Sequence, residues 1–189
     1  MSMIGCFRTA TDTEIAALLE KPQRILRVFD LPDPQPKGGL LSRLLGRTRR
    51  VDPADDWQPD RDNEEWDLDK AWHGIHFLLT GQTWDGQPPL NFIVAGGKEI
   101  GKVEVGYGPA RCFTSREAAA ICEALEPITA ESLKERCDRD TFMKHDIYPN
   151  IWDETADECF GYVLTYFEEM KEFMRRTKDS RKGLIVSFS

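Results

Sequence analysis

Asp67-Leu-Asp-Lys-Ala-Trp-His-Gly-Ile-His-Phe-Leu-Leu-Thr-Gly81 decides the fold, because it sets helix boundaries, apolar residues and ionisable groups within about three turns. Asp67 is a good N-cap, and Gly81 stands where a left-handed residue would end a helix. Leu68, Ala71, Trp72, Ile75, Phe77, Leu78 and Leu79 cover nearly the whole circumference, so the segment is predicted to be a central, buried helix. Asp69, His73 and His76 fall at i, i+4 and i+7, which predicts three polar side chains along one edge, with Thr80 continuing the row.

A carboxylate and two imidazoles at that spacing have the chemistry to ligate a transition metal or to act as general acid and base. In the bland alternative each imidazole donates to a backbone carbonyl, while Asp69 and Lys70 serve the helix start or an ion pair. Metal is the weaker reading. The pattern DxxxHxxH lacks the glutamate of HExxH, and no second ligand cluster is evident, so no metal is assigned. A pocket for a polar ligand and a polar core remain as alternatives.

Working outward, Met3 to Arg8 reads as a first strand, and Thr11-Asp-Thr-Glu14 as a capping box before a helix through Glu20. A second short helix starts near Pro22 and stops at Pro32 and Pro34. On the other side, Leu90 to Ala95 has strand character. The glycines between Gly96 and Gly108 fit neither GxGxxG nor a Walker loop and read as tight turns. Tyr107 to Phe113 is a turn into a short strand. Thr114-Ser-Arg-Glu117 opens a helix through about Leu125, and Thr129 begins another. Asp140 to His145 is a short helical segment broken at Pro149. Asp153 then caps a last long helix with Phe160, Val163, Leu164, Phe167, Met170 and Phe173 at core spacing, and Leu184 to Phe188 closes the chain as a strand. The order implies one α+β domain over 1–189, a mixed β-sheet packed with helices, with the N- and C-terminal strands in one sheet.

A segment at about 32–66 departs from this pattern and reads as a charged, irregular insertion. Lys37 to Arg50 is basic, with Arg43, Arg47, Arg49 and Arg50, whereas Asp52 to Asp67 is densely acidic around Trp57 and Trp66. Gly38 to Gly46 would form a short amphipathic turn, which fits leucines docked on the protein's own core better than an anionic surface. The whole chain of 189 residues carries a formal charge of −8, which disfavours a general nucleic-acid coat role. No apolar stretch approaches bilayer length, so membrane insertion is not expected. Cys6, Cys112, Cys122, Cys137 and Cys159 are odd in number and scattered, which reads as reduced thiols in a cytoplasmic protein. Arg111 is a candidate anion clamp, although an ion pair to one of the many acids competes with that role.

Met1-Ser-Met-Ile-Gly5, Leu68 to Gly81, Gly106-Tyr-Gly-Pro-Ala-Arg111 and Ile147-Tyr-Pro-Asn-Ile-Trp-Asp153 occur in an order and spacing that resembles the YfbM-like family of uncharacterised bacterial proteins. The resemblance covers most of the chain and implies a fold but no activity. The stretch around Gly38 to Arg61 looks longer and more basic than the family pattern. What the resemblance implies at the level of residues is a polar cluster: Asp69, Lys70, His73 and His76, then Tyr107 and Arg111, then Tyr148, Trp152 and Asp153. If these converge, Arg111 would bind an anionic group, His73 or His76 would exchange a proton, and Trp72 or Trp152 would wall the pocket.

Five tryptophans and a charged insertion without a complete catalytic set favour a non-catalytic cytoplasmic binding or protein-interaction protein, whose partner is a protein or a small anionic ligand. The alternative is a hydrolase or transferase acting on a small anionic substrate, with His73 or His76 as base and Arg111 as anchor. No cofactor is assigned.

Overall fold

The structure is a computed structural model that describes residues 2–32, 55–152 and 156–189. Gly5–Ala10 (β1), Glu65–Asp67 (β2), Lys98–Glu104 (β3), Pro109–Phe113 (β4) and Gly183–Phe188 (β5) form one sheet in the order β2-β1-β5-β4-β3. The two terminal strands share one sheet, as the sequence led one to expect, and lie side by side in it, from Gly5 opposite Phe188 to Ala10 opposite Gly183. The α+β architecture also holds. Every pairing among the described residues is antiparallel, however, so the sheet they form is not mixed. β1 and β5 are joined through nearly the whole chain, and no local crossover constrains their relative direction.

The two-residue period of the strands divides the core between the two faces. Phe7, Phe113, Leu184 and Val186 face Trp72–Thr80 (α3), Ser115–Leu125 (α4) and Ala156–Asp179 (α7), with the short helices Ala130–Lys134 (α5) and Arg139–Lys144 (α6) at the periphery. Ala10, Ala110, Cys112 and Ile185 face Asp12–Glu20 (α1) and Ile25–Val28 (α2). Local chemistry places the helix starts: Thr114 Oγ1 accepts the N–H of Glu117, whose carboxylate accepts the N–H of Thr114 in return. Thr129 and Ser132 repeat this device at α5. In α7, Phe160, Val163, Phe167, Met170 and Phe173 of the predicted stripe are buried, joined by Met174, while Leu164 is half-buried against the same core.

Three expectations need correction. The central helix begins at Trp72, not just after Asp67. Asp67 instead ends an edge strand opposite Cys6, the N–H of Leu68 donates to the Gly5 carbonyl, and the Asp69 carbonyl accepts the N–H of Gly5. Pairing with β1 thus takes the backbone groups that a first helical turn would use, and Asp69 leaves the face that carries His73 and His76. Gly81, at φ 68°, does end the helix. Second, Leu90 to Ala95 is a series of turns rather than a strand, with the N–H groups of Val94 and Ala95 both donating to the Asn91 carbonyl. Third, the glycine-punctuated segment contributes β3, in which Gly101 adopts φ 63°.

The basic stretch Lys37 to Arg50, with the amphipathic turn assigned to Gly38 to Gly46, lies outside the described residues. Where the chain is described again it is laced back onto the fold. Asp55 forms a two-pronged pair with Arg24 at 2.7 and 2.8 Å, Arg8 donates to the Asp60 carbonyl at 2.7 Å, and the N–H of Thr9 donates to the Glu64 carbonyl at 2.9 Å. Among the described residues no helix is long and apolar enough to cross a membrane.

Candidate functional site

α3 carries both candidate histidines into the interior, where each ring is fully buried. His73 is engaged at both nitrogens: Nδ1 accepts the N–H of Tyr148 at 3.0 Å, and Nε2 donates to the Thr83 carbonyl at 2.9 Å. Burial lowers its pKa below the ordinary histidine value, partly opposed by the Thr83 carbonyl and by Asp146. The ring is therefore neutral and holds together α3, the loop after it and the loop before α7.

His76 sits one turn further on. Its Nε2 is 3.5 Å from Thr80 Oγ1, while Nδ1 has no hydrogen-bond partner among the described residues. Burial and the neighbouring His73 push its pKa down to about 4, against the pull of the Asp85 carbonyl. Arg111, on β4, lies near enough for its charge to be felt at His76. Its guanidinium nevertheless donates to the carbonyls of Phe92, Ile93, Ala95 and Gly96 at 2.6 to 3.2 Å. Burial lowers its pKa to about 10, so it stays charged at neutral pH. Among the described residues the largely buried turn 90–95 has no strand partner for its carbonyls, and Arg111 supplies the donors.

Other predicted residues meet elsewhere. Asp69, Lys70 and Tyr148 line a cleft of about 450 Å³ together with Ser2, Pro149, Ile151 and Tyr162. Asp69 holds φ 43°, a left-handed conformation that aspartate tolerates. Its Oδ2 accepts the hydroxyl of Tyr162 at 2.9 Å, and the same hydroxyl oxygen accepts the N–H of Lys70 at 3.1 Å. Burial and Asp69 both raise the Tyr162 pKa, so the phenol keeps its proton. Tyr148 accepts the N–H of Met3 at 2.9 Å, which fixes this wall against the start of β1. Lys70 is half-buried, and its ammonium forms no ion pair among the described residues.

The remaining candidates do not line this cleft. Trp72 is core: its indole donates to the Met3 carbonyl at 3.0 Å and it stacks on His73 and Tyr148. Trp152 is buried against Phe142 and Phe160. Tyr107 is exposed, with its N–H donating to the Phe188 carbonyl. Asp153, both as a helix cap and as a site residue, lies outside the described residues. The sequence does not single out Tyr162, because the α7 pattern reads as an apolar stripe. The available signal was a tyrosine beside that stripe, repeated four residues on at Tyr166. Among the described residues no group of three or more His, Cys, Asp or Glu is placed to hold a metal ion.

Residues 1–187 match the family model described as "Domain of unknown function (DUF1877)". Among solved structures the chain is similar to the crystal structure of a protein of unknown function, YfbM, from Escherichia coli. The two share 19% identity at a TM-score of 0.66, over 98% of this chain and 99% of that one, a likeness that speaks to the fold. No curated protein matches the chain.

Proposed function

The chain belongs to the DUF1877 family, and from that premise we propose that it is a non-catalytic binding protein whose cleft at Asp69, Lys70, Tyr148 and Tyr162 takes a small anionic ligand. The observation that carries this is the half-buried Lys70, whose ammonium forms no ion pair among the described residues, in a cleft with the apolar walls Tyr148, Pro149 and Ile151. A volume of about 450 Å³ falls within the range of small-molecule sites. Binding is favoured over the hydrolase or transferase alternative, which would recruit His73 or His76 with Arg111, because His73 and Arg111 are engaged with backbone partners and His76 is fully buried away from the cleft. The five cysteines are free thiols, which supports action in a reducing compartment such as the cytoplasm.

Isothermal titration with small carboxylates tests the reading. Saturable binding, with roughly micromolar to millimolar Kd, is expected from one charge contact and a modest apolar surface. Lys70→Ala should weaken it about ten-fold or more, the effect of losing one charge-assisted contact. Equal affinity in the variant would exclude this cleft as the anion site.

A further inference from the structure

Asp69 and Lys70 are adjacent in the chain, carry opposite charges and line the same cleft, yet they do not pair with one another. Tyr162 holds the carboxylate of one and the main chain of the other. Its O–H is directed into Oδ2 of Asp69 and its oxygen receives the main-chain N–H of Lys70, so one hydroxyl anchors both residues through atoms other than Lys70 Nζ and Asp69 Oδ1. Neither Oδ1 nor Nζ has a hydrogen-bond or ion-pair partner among the described residues.

Two open charges of opposite sign in one half-buried cleft set a constraint on the ligand. A simple anion gains at Lys70 but is repelled by Asp69, a simple cation meets the reverse, and partial burial enlarges both terms relative to water. A molecule bearing both charges satisfies both groups and leaves no ionised group facing an empty wall. From this we propose that the cleft is a zwitterion site for a free amino acid, with its ammonium at Asp69 Oδ1, its carboxylate at Lys70 Nζ and its side chain against Tyr148, Pro149 and Ile151. The proposal rests on the reading above that Lys70 takes a carboxylate, and it adds Asp69 as the partner of the ligand's ammonium.

The test begins with a thermal-shift series of free amino acids on the full chain. The best binder is then compared by titration with its N-acetyl and its amide derivatives. The free amino acid is expected to bind at least ten-fold more tightly than either blocked form. Asp69→Asn keeps an acceptor for Tyr162 and a residue type that tolerates φ 43°, so it should fold. It is expected to erase the preference for the free amino acid over the N-acetyl form, while Lys70→Gln weakens both. An N-acetyl form that binds as tightly as the free amino acid, and loses affinity in Lys70→Gln, overturns the zwitterion site and leaves the anion site standing. If no amino acid, blocked form or simple carboxylate binds, both readings fail.

Discussion

The ring of His73 accepts the main-chain N–H of Tyr148 at Nδ1, at 3.0 Å, and this bond decides where the proton of the imidazole resides. Nε2 must then carry it, toward the Thr83 carbonyl at 2.9 Å. Protonating Nδ1 would break the first bond inside a fully buried site. The histidine that looks most like a base in the sequence is thus fixed as a neutral connector between three segments.

Replacing it should be costly. His73→Ala leaves a buried N–H and a buried carbonyl unpaired, at about 1–3 kcal/mol each, and opens a cavity beside Trp72. Urea denaturation is expected to show a loss of about 3 kcal/mol or more. A loss below about 1 kcal/mol would mean that water replaces both bonds.

Stability should also fall with acid before the carboxylates titrate. Both His73 and His76 have folded-state pKa values below the usual 6.5, with His76 at about 4. Above about pH 6.5 each is neutral whether folded or not, and the stability is complete. As pH drops below that value the unfolded chain takes up protons that the fold refuses, so stability declines until the folded pKa is reached. For His76 the shift corresponds to about 3 kcal/mol across the window. Denaturation curves between pH 6.5 and 5.5 are expected to show a slope of up to about 1.4 kcal/mol per pH unit per histidine. His76→Gln should flatten it; an unchanged slope in that variant would remove His76 from the account.

Arg111 should resist even its conservative replacement. Arg111→Ala removes donors from the carbonyls of Phe92, Ile93, Ala95 and Gly96, at an expected cost of about 3 kcal/mol or more. Arg111→Lys should recover less than half of this, since an ammonium cannot span four carbonyls as a planar guanidinium does. Thermal unfolding gives the stability change, and amide exchange at residues 91–97 should accelerate in both variants.

Gly74 is where α3 approaches α7. A Cβ there would stand 3.2 Å from Val163 Cγ2 and 3.4 Å from Trp152 Cη2. Gly74→Ala is expected to destabilise by about 1 kcal/mol, because overpacking outweighs the helix propensity gained. In a double-mutant cycle with Val163→Ala the two changes should couple by about 1 kcal/mol or more. Strict additivity would place the strain elsewhere.

Much of this molecule was legible without coordinates where the signal is local. Thr114 with Glu117 and the six-residue apolar stripe of α7 each depend on neighbours within a few positions, and the structure contains them. Phe92 and Ile93 show the opposite case. They are apolar and fully buried, which suits a strand, but their carbonyls are taken by a side chain 18 or 19 residues later. Nothing within residues 90–95 announces Arg111. The candidate cleft divides in the same way: Asp69, Lys70 and Tyr148 were named from motifs, whereas Tyr162 was hidden in a helix whose pattern speaks for packing.

The sequence by itself determined that a buried helix ends at Gly81, that both termini form strands and that two histidines share one edge of that helix. Side-chain period and cap chemistry act over one or two turns, and no distant segment is needed to express them. Only the tertiary structure decided which hydrogen bonds those polar groups make. Gly5 drew Leu68 and Asp69 into strand pairing, Tyr148 took the lone pair of His73, and Tyr162, 93 residues from Asp69, took its carboxylate. A buried donor or acceptor must find a partner, and the chain brings that partner from wherever the packing of the core happens to place it.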